Sequence, residues 1–248
     1  MKKSLRFLSI FLLILCLTGC TVNIDTDKQT QTQVQTEPPK QIAESPINII
    51  EAQYFDGNPS VMLNAGIPYF TKDEITTESF ESYSELDELG RCGVAFACIG
   101  TDIMPTEERG EIGSVKPSGW NQAKYAGIDG NYLYNRCHLI AYSLTGENAN
   151  KKNLITGTRY LNISGMLEYE MQVLNYVSKT NNHVMYRVTP VFKDNNLLAE
   201  GVIIEAYSVE DYGSGVQFCV FCYNVQPGVT INYADGSSTG PEFTGSEK

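Results

Sequence analysis

Histidine is nearly absent from this chain, with 2 in 248 residues. Any chemistry that needs an imidazole must therefore use His138 or His183. Tryptophan occurs once, at Trp120, and positive charge is scarce, with 18 Lys and Arg against 29 Asp and Glu. An acidic balance of this size excludes wholesale electrostatic attraction to polyanions and makes the location of each cation matter more than the sum. There is one CxxC, Cys219 to Cys222, and no second pair or nearby histidine to complete a zinc site. It lies in Val216-Gln-Phe-Cys-Val-Phe-Cys-Tyr-Asn-Val225, which reads as a strand, so its two thiols would face opposite sides. Cys92 and Cys98 likewise fall too far apart along an extended apolar run to be bridged. Together with Cys137 these five read as small core residues.

The long apolar runs are confined to the start. Met1 to Arg6 is basic and Phe7 to Leu17 apolar, an export signal too short to span a bilayer. It ends in Leu17-Thr18-Gly19-Cys20, which resembles the lipobox of bacterial lipoproteins. That resemblance implies cleavage after residue 19, lipidation of Cys20, and an extracytoplasmic protein anchored to the cell membrane, on a Gram-positive surface. Residues 20–46 hold Thr, Gln, Lys, Glu and Pro with few large apolar side chains, so they read as a tether. Residues 47–235 are rich in Tyr, Val, Ile and Leu and suffice for one domain with its own core, followed by a flexible tail over 236–248. Removal of Lys2, Lys3 and Arg6 from the 18 cations leaves 15 against 29 acids, a net −14.

Strand signals dominate: Gln53 to Phe55, Ser60 to Leu63, Gly93 to Ile99, Tyr132 to Ile140, Val184 to Val191, Leu197 to Tyr207 and Phe218 to Val225. Two helices are expected, over Thr77 to Leu89 and over Ile163 to Lys179, the second ended by Thr180-Asn-Asn182. The fold class is α+β, a mainly antiparallel sheet with flanking helices.

Between Gly113 and Asn162 the charge balance reverses. Lys116, Lys124, Arg136, Lys151, Lys152 and Arg159 face Asp129 and Glu147 alone, a local +4. Within it, Arg136 and His138 alternate with Cys137 on a strand and so point the same way. A cation beside an imidazole supplies what phosphodiester hydrolysis needs, a base for water and a donor to the phosphorane charge. On the second helix Asn162, Met166 and Glu170 share a stripe with Val173 and Val177, which puts a carboxylate on the apolar face. Burying that charge is costly unless it is paired or serves a cation, and Asn162 with Glu170 offers hard oxygen donors. Asn162 is equally suited to cap the helix. His183, Glu210 and Asp211 read as structural loop residues.

Asn135-Arg-Cys-His138, Asn153-Leu-Ile-Thr-Gly-Thr-Arg-Tyr-Leu-Asn162 and Glu170 together resemble the DNA/RNA non-specific endonuclease family with its ββα-metal (His-Me finger) site, in particular streptococcal secreted and DNA-entry nucleases. The likeness extends through Arg91-Cys-Gly-Val-Ala95, Gly119-Trp-Asn-Gln122, Tyr186-Arg-Val-Thr-Pro190 and Tyr223 to Tyr233. It implies an endonuclease acting on DNA and RNA with His138 as general base, Mg²⁺ (or Mn²⁺) held through Asn162, Glu170 at the ion's hydration shell, and Arg136 stabilising developing charge. Arg159, Lys124, Trp120 and Gln122 are candidate substrate contacts, and no protein partner is evident. Two departures from the family's Asp-Arg-Gly-His stand out: Asn135 replaces the acid and Cys137 the glycine. They open two alternatives, a catalytically silent relative or ligand-binding lipoprotein, and a Cys137–His138 thiol enzyme. The second is disfavoured because adjacent strand residues face opposite sides.

Overall fold

The computed structural model describes residues 55–246, so the expected signal, Cys20, the tether and most of the strand expected at Gln53 to Phe55 lie outside the described residues. In chain order the strands are β1 (Ser60–Met62), β2 (Phe80–Tyr83), β3 (Ala95–Ile99), β4 (Ala123–Tyr125), β5 (Tyr134–His138), β6 (Leu154–Thr158), β7 (Val184–Val191), β8 (Gly201–Ser208), β9 (Gln217–Tyr223), β10 (Thr230–Ile231), β11 (Ser238–Thr239) and β12 (Phe243–Ser246). The helices are α1 (Tyr142–Thr145) and α2 (Leu167–Thr180). Six strands form an antiparallel sheet in the order β1-β9-β8-β7-β3-β2, and β5-β6, β4-β12 and β10-β11 form separate two-stranded ribbons. The fold is α+β with a mainly antiparallel sheet, as the alternation of the sequence implies.

Each face of the six-stranded sheet carries its own core. On one face Ala95, Ala97, Tyr186, Val188, Ile204 and Val220 meet Met166, Val173 and Val177 of the long helix and Cys137, Leu139 and Ile155 of the β5-β6 ribbon. Burial of this apolar surface fixes ribbon and helix side by side on the sheet. Cys222 belongs to this core and Cys219 to the opposite one, so the two thiols of the CxxC do face opposite sides. All five described cysteines are free and buried.

The opposite face holds a buried ion network. Arg187 on β7 lies across from Glu205 on β8 and donates from Nε to Oε2 at 2.8 Å and from Nη2 to Oε1 at 3.1 Å. Nη1 of Arg187 reaches Glu74 at 3.0 Å, and the guanidinium stacks over Phe70 at 4.8 Å. With Arg187 1% and Glu205 0% exposed, neither charge has water as an alternative partner. The network ties the 69–74 segment over the sheet, since Glu205 also accepts from the Tyr69 amide.

Three expectations are corrected. Residues 80–83, read as part of a helix over 77–89, form strand β2 at the sheet edge. Phe80, Tyr83 and Leu86 fit helical spacing, but pairing with β3 wins: Phe80 lies edge-on to Phe96 at 5.2 Å on one face while Tyr83 packs into the core on the other. The strand expected from Leu197 begins only at Gly201, because the Leu198 amide bonds the Tyr233 carbonyl and its side chain enters a separate cluster with Tyr125 and Leu133. Residues 238–246, expected as a flexible tail, form β11 and β12, and β12 adds itself to β4. The short strands β4, β6 and β10 add to the strands the sequence pattern marks.

Replacing Arg187 by Met would strand the Glu205 carboxylate without a counter-charge. We expect a loss of about 3–5 kcal/mol in unfolding free energy by urea titration, and a loss below about 1 kcal/mol would show that the network does not hold the second face together.

A candidate nuclease site on the β5-β6 ribbon

The β5-β6 ribbon is held by three buried side-chain amides. Gln122 Nε2 donates to the Tyr134 carbonyl at 2.6 Å and its Oε1 accepts from the Tyr134 amide at 2.9 Å, which anchors the start of β5. Asn153 closes the other end by bonding both the amide and the carbonyl of Ile140, each at 2.9 Å. This is why β5 stops at His138, two residues before the end expected from the sequence. Asn224 reaches over from the sheet to the Thr158 amide and to the carbonyls of Thr156 and Ala199. Satisfied amides in a dry interior fix position because leaving them unpaired costs about 1–3 kcal/mol each.

His138 emerges from this frame 7% exposed. Its Nε2 lies 2.7 Å from the Asn148 carbonyl. A carbonyl can only accept, so Nε2 carries the hydrogen and the neutral ring keeps its lone pair on Nδ1. Nδ1 is 3.3 Å from Nη2 of Arg109. Burial pulls the His138 pKa from 6.5 to about 4, against the stabilising bond to Asn148 and with the help of the Arg109 charge. The ring is therefore neutral, in one tautomer, at physiological pH.

Opposite it, the long helix begins with a wide π-helical turn, Leu161–Met166, that presses Gly165 against Cys222 of β9. A Cβ on Gly165 would come within 3.3 Å of Cys222 Cβ. Such turns are rare and recur at functional sites. The capping role open to Asn162 is taken by Thr158, whose Oγ1 accepts from the Leu161 amide at 2.9 Å. The Asn162 side chain is left half-buried with no hydrogen-bond partner among the described residues. One stripe further, burial raises the Glu170 carboxyl to about 7, against the lowering influence of Arg109. The inward stripe read from the sequence is observed, with Met166, Val173 and Val177 fully buried.

His138, Arg136, Asn162, Glu170, Arg159, Trp120 and Gln122 all line one cavity of about 610 Å³, together with Arg109. Lys124 does not line it; its ammonium sits 4.8 Å over the ring of Tyr132, which does. Arg136 donates to the carbonyls of Val115 and Gly113 and stacks on Trp120 at 4.0 Å. Arg159 pairs with Asp129 at 2.6 Å, and Lys152 with Glu85. The local +4 of the sequence is thus partly neutralised in the fold. Arg109, which sequence reading passed over among Glu107, Glu108 and Glu111, is the cation closest to the imidazole acceptor. Gly110 lets its loop close on Asn148, as a Cβ there would sit 2.8 Å from Asn148 Nδ2.

Cys137 lies on the opposite side of β5 from the cavity. Its thiol fills the place a side chain at 157 would take, since a Cβ on Gly157 would lie 2.3 Å from Sγ. Burial pushes its pKa far above the ordinary thiol value. A thiol so held cannot serve as a nucleophile paired with His138. The second histidine, His183, is bonded through Nδ1 to Glu210 at 2.6 Å and closes the turn into β7, a structural role as expected.

Residues 71–210 match the family model described as DNA/RNA non-specific endonuclease. The chain belongs to that family. Among solved structures it is similar to NucA from Streptococcus agalactiae with a magnesium ion bound, at 27% identity over 73% of this chain and 86% of that one, with a TM-score of 0.65. It is also similar to the Sda1 nuclease with a bound zinc ion, at 27% identity over 65% and 81% of the two chains, with a TM-score of 0.56. An extracellular endonuclease at 19% identity shares the fold, with a TM-score of 0.53. Of the chain's two histidines, His138 lines the cavity and His183 does not.

Nuclear magnetic resonance of histidine-labelled protein should show His138 as the Nε2–H tautomer with a titration midpoint near 4. Because that value lies below the 6.5 of the unfolded chain, the unfolded state binds the extra proton between them. Stability conferred by keeping the ring neutral is then present above pH 6.5 and lost as pH falls toward 4. A midpoint above 6, or an Nδ1–H ring, would contradict the geometry.

Proposed function

We propose that the chain is a divalent-metal-dependent endonuclease that hydrolyses phosphodiester bonds in DNA and RNA, with His138 as general base. The observation that carries this reading is the Nδ1 lone pair of a neutral imidazole, fixed by the Asn148 carbonyl and facing a cavity lined by Asn162, Glu170 and Arg109. In this reading Nδ1 takes a proton from water as the water attacks phosphorus. Arg109 moves its donor from Nδ1 to the phosphate as substrate enters, and adds positive charge where the phosphorane gains negative charge. Arg136, held by two backbone carbonyls, contributes a fixed field from the cavity wall and keeps Trp120 in place.

The donor set fits a hard cation. The Asn162 side-chain amide is half-buried without a partner among the described residues, and burial holds the Glu170 carboxyl near 7 while the Arg109 charge favours its ionised form. No group of three or more His, Cys, Asp or Glu able to cage a metal occurs among the described residues. The site therefore suits an ion that retains much of its water, as Mg²⁺ does, or Mn²⁺. Asn162 would hold it, with Glu170 beside it, and when bound it supplies positive charge against the phosphate and the leaving oxygen.

Asn135 lines the cavity and Cys137 points away from it, so neither departure from the family pattern obstructs His138. That supports an active enzyme over a silent relative. The leader, with Leu17-Thr-Gly-Cys20, supports work outside the cytoplasm on a lipid anchor; among the described residues no helix is long and apolar enough to cross a membrane.

Incubated with plasmid DNA or with RNA and Mg²⁺, the protein should degrade both, and EDTA should stop it. His138→Ala should lower the rate about 10²–10⁴-fold. Unchanged cleavage in that variant would remove His138 as the general base, and intact nucleic acid across pH and divalent metals would leave a binding protein instead. The pH profile separates the two titrating groups. His138 is already neutral above about pH 5, so the acidic limb of kcat/KM follows Glu170, which must lose a proton near 7. Raising Mg²⁺ should move that limb to lower pH, and a limb insensitive to Mg²⁺ would separate Glu170 from the cation.

A further inference from the structure

The cavity is short of free cations and lined by an exposed Tyr132, a half-buried Trp120 and exposed aliphatic side chains. Of the three arginines that line it, Arg136 is committed to two carbonyls and Arg159 to Asp129, which leaves Arg109 beside His138. Trp120 and Tyr132 both line it, and each has a protein cation against one ring face: Arg136 at 4.0 Å and Lys124 at 4.8 Å. Tyr132 follows Gly130 and Asn131, both left-handed at φ 73° and 65°, and this turn presents its side chain 40% exposed. On the facing helix Ile163 and Leu167, 41% and 39% exposed, flank Asn162 along the same wall.

Resting on the nuclease reading, we propose that the substrate this site takes is a nucleic-acid strand with unpaired bases, gripped by stacking on Tyr132 and Trp120 and by contact with Ile163 and Leu167. In a duplex the base faces are already stacked on one another, and such a surface gains little from them. A duplex-binding face instead needs many cations set against both backbones, and its affinity then falls steeply with salt. An unpaired strand offers the faces of its bases, and stacking on aromatic side chains accepts every base. The contacts with Arg136 and Lys124 already restrict the two rings, so they lose little further freedom on holding a base. The apolar wall lies next to Asn162, so the base so held belongs to a nucleotide adjoining the bond that is cut.

The test compares labelled 30-mers of one sequence as single strand, as perfect duplex and as duplex with an unpaired internal loop, with the whole protein and Mg²⁺. The single strand should be cut at least about 10-fold faster by kcat/KM than the duplex, and cuts in the third substrate should fall in the loop. Tyr132→Ala should lower the single-strand rate about 10-fold and narrow the ratio, while Tyr132→Phe keeps it; circular dichroism confirms that both variants fold. Trp120, the only tryptophan, supplies a readout independent of cleavage: in EDTA its fluorescence should be quenched more tightly by the single strand than by the duplex. Duplex cut as fast as single strand, by an enzyme still dependent on His138, would overturn this inference and leave the nuclease standing. Failure to cut any substrate would overturn the nuclease reading, and equal or tighter quenching by duplex would overturn the stacking inference on its own.

Discussion

The hydrogen bond from His138 Nε2 to the Asn148 carbonyl is the contact on which the site depends. An imidazole at neutral pH is a mixture of tautomers, and only one of them leaves a lone pair directed at the cavity. The backbone carbonyl selects that tautomer, and burial removes the protonated form from competition. Everything around the contact serves to keep it in register. Gln122, Asn153 and Asn224 lock the β5-β6 ribbon, and Gly110 allows the Arg109 loop to lie against Asn148. The core beneath the ribbon sets its distance from the long helix.

The helix brings the complementary chemistry. Its wide first turn and the Thr158 cap free Asn162 from structural duty, and its apolar stripe carries Glu170 into surroundings where a carboxylate is costly to ionise. The two walls have opposite electrostatic demands. The ribbon wall has an imidazole kept neutral with the Arg109 guanidinium beside it, whereas the helix wall has oxygen donors that call for positive charge. A substrate phosphate and a hydrated divalent cation satisfy both demands at once, which is the physical content of the nuclease reading.

Much of this is legible in the sequence because it is local. Alternation along 134–138 puts Arg136 and His138 on one side and Cys137 on the other, and helical spacing from Asn162 to Val177 puts Glu170 on the inward stripe; both are seen in the fold. What escaped depends on contacts between distant segments. Arg109 sits among acids and acquires meaning only when its loop closes on Asn148. Gln122 reads as a candidate substrate contact, yet it is buried and both its amide atoms are bonded to the Tyr134 backbone, 12 positions away. Residues 80–83 carry apolar spacing that suits a helix or an edge strand, and only the partner strand β3 decides. The C-terminal residues lack strand composition and pair with β4 because that edge is open to them.

The central claim is that the Nδ1 lone pair at position 138 does the proton transfer, and chemical rescue tests it most directly. His138→Ala should be inactive yet regain Mg²⁺-dependent cleavage when free imidazole is added, with the recovered rate following the concentration of neutral imidazole. Rescue by imidazolium, or a variant that imidazole leaves inactive while it still binds substrate and folds as the parent does, would contradict a general base at His138.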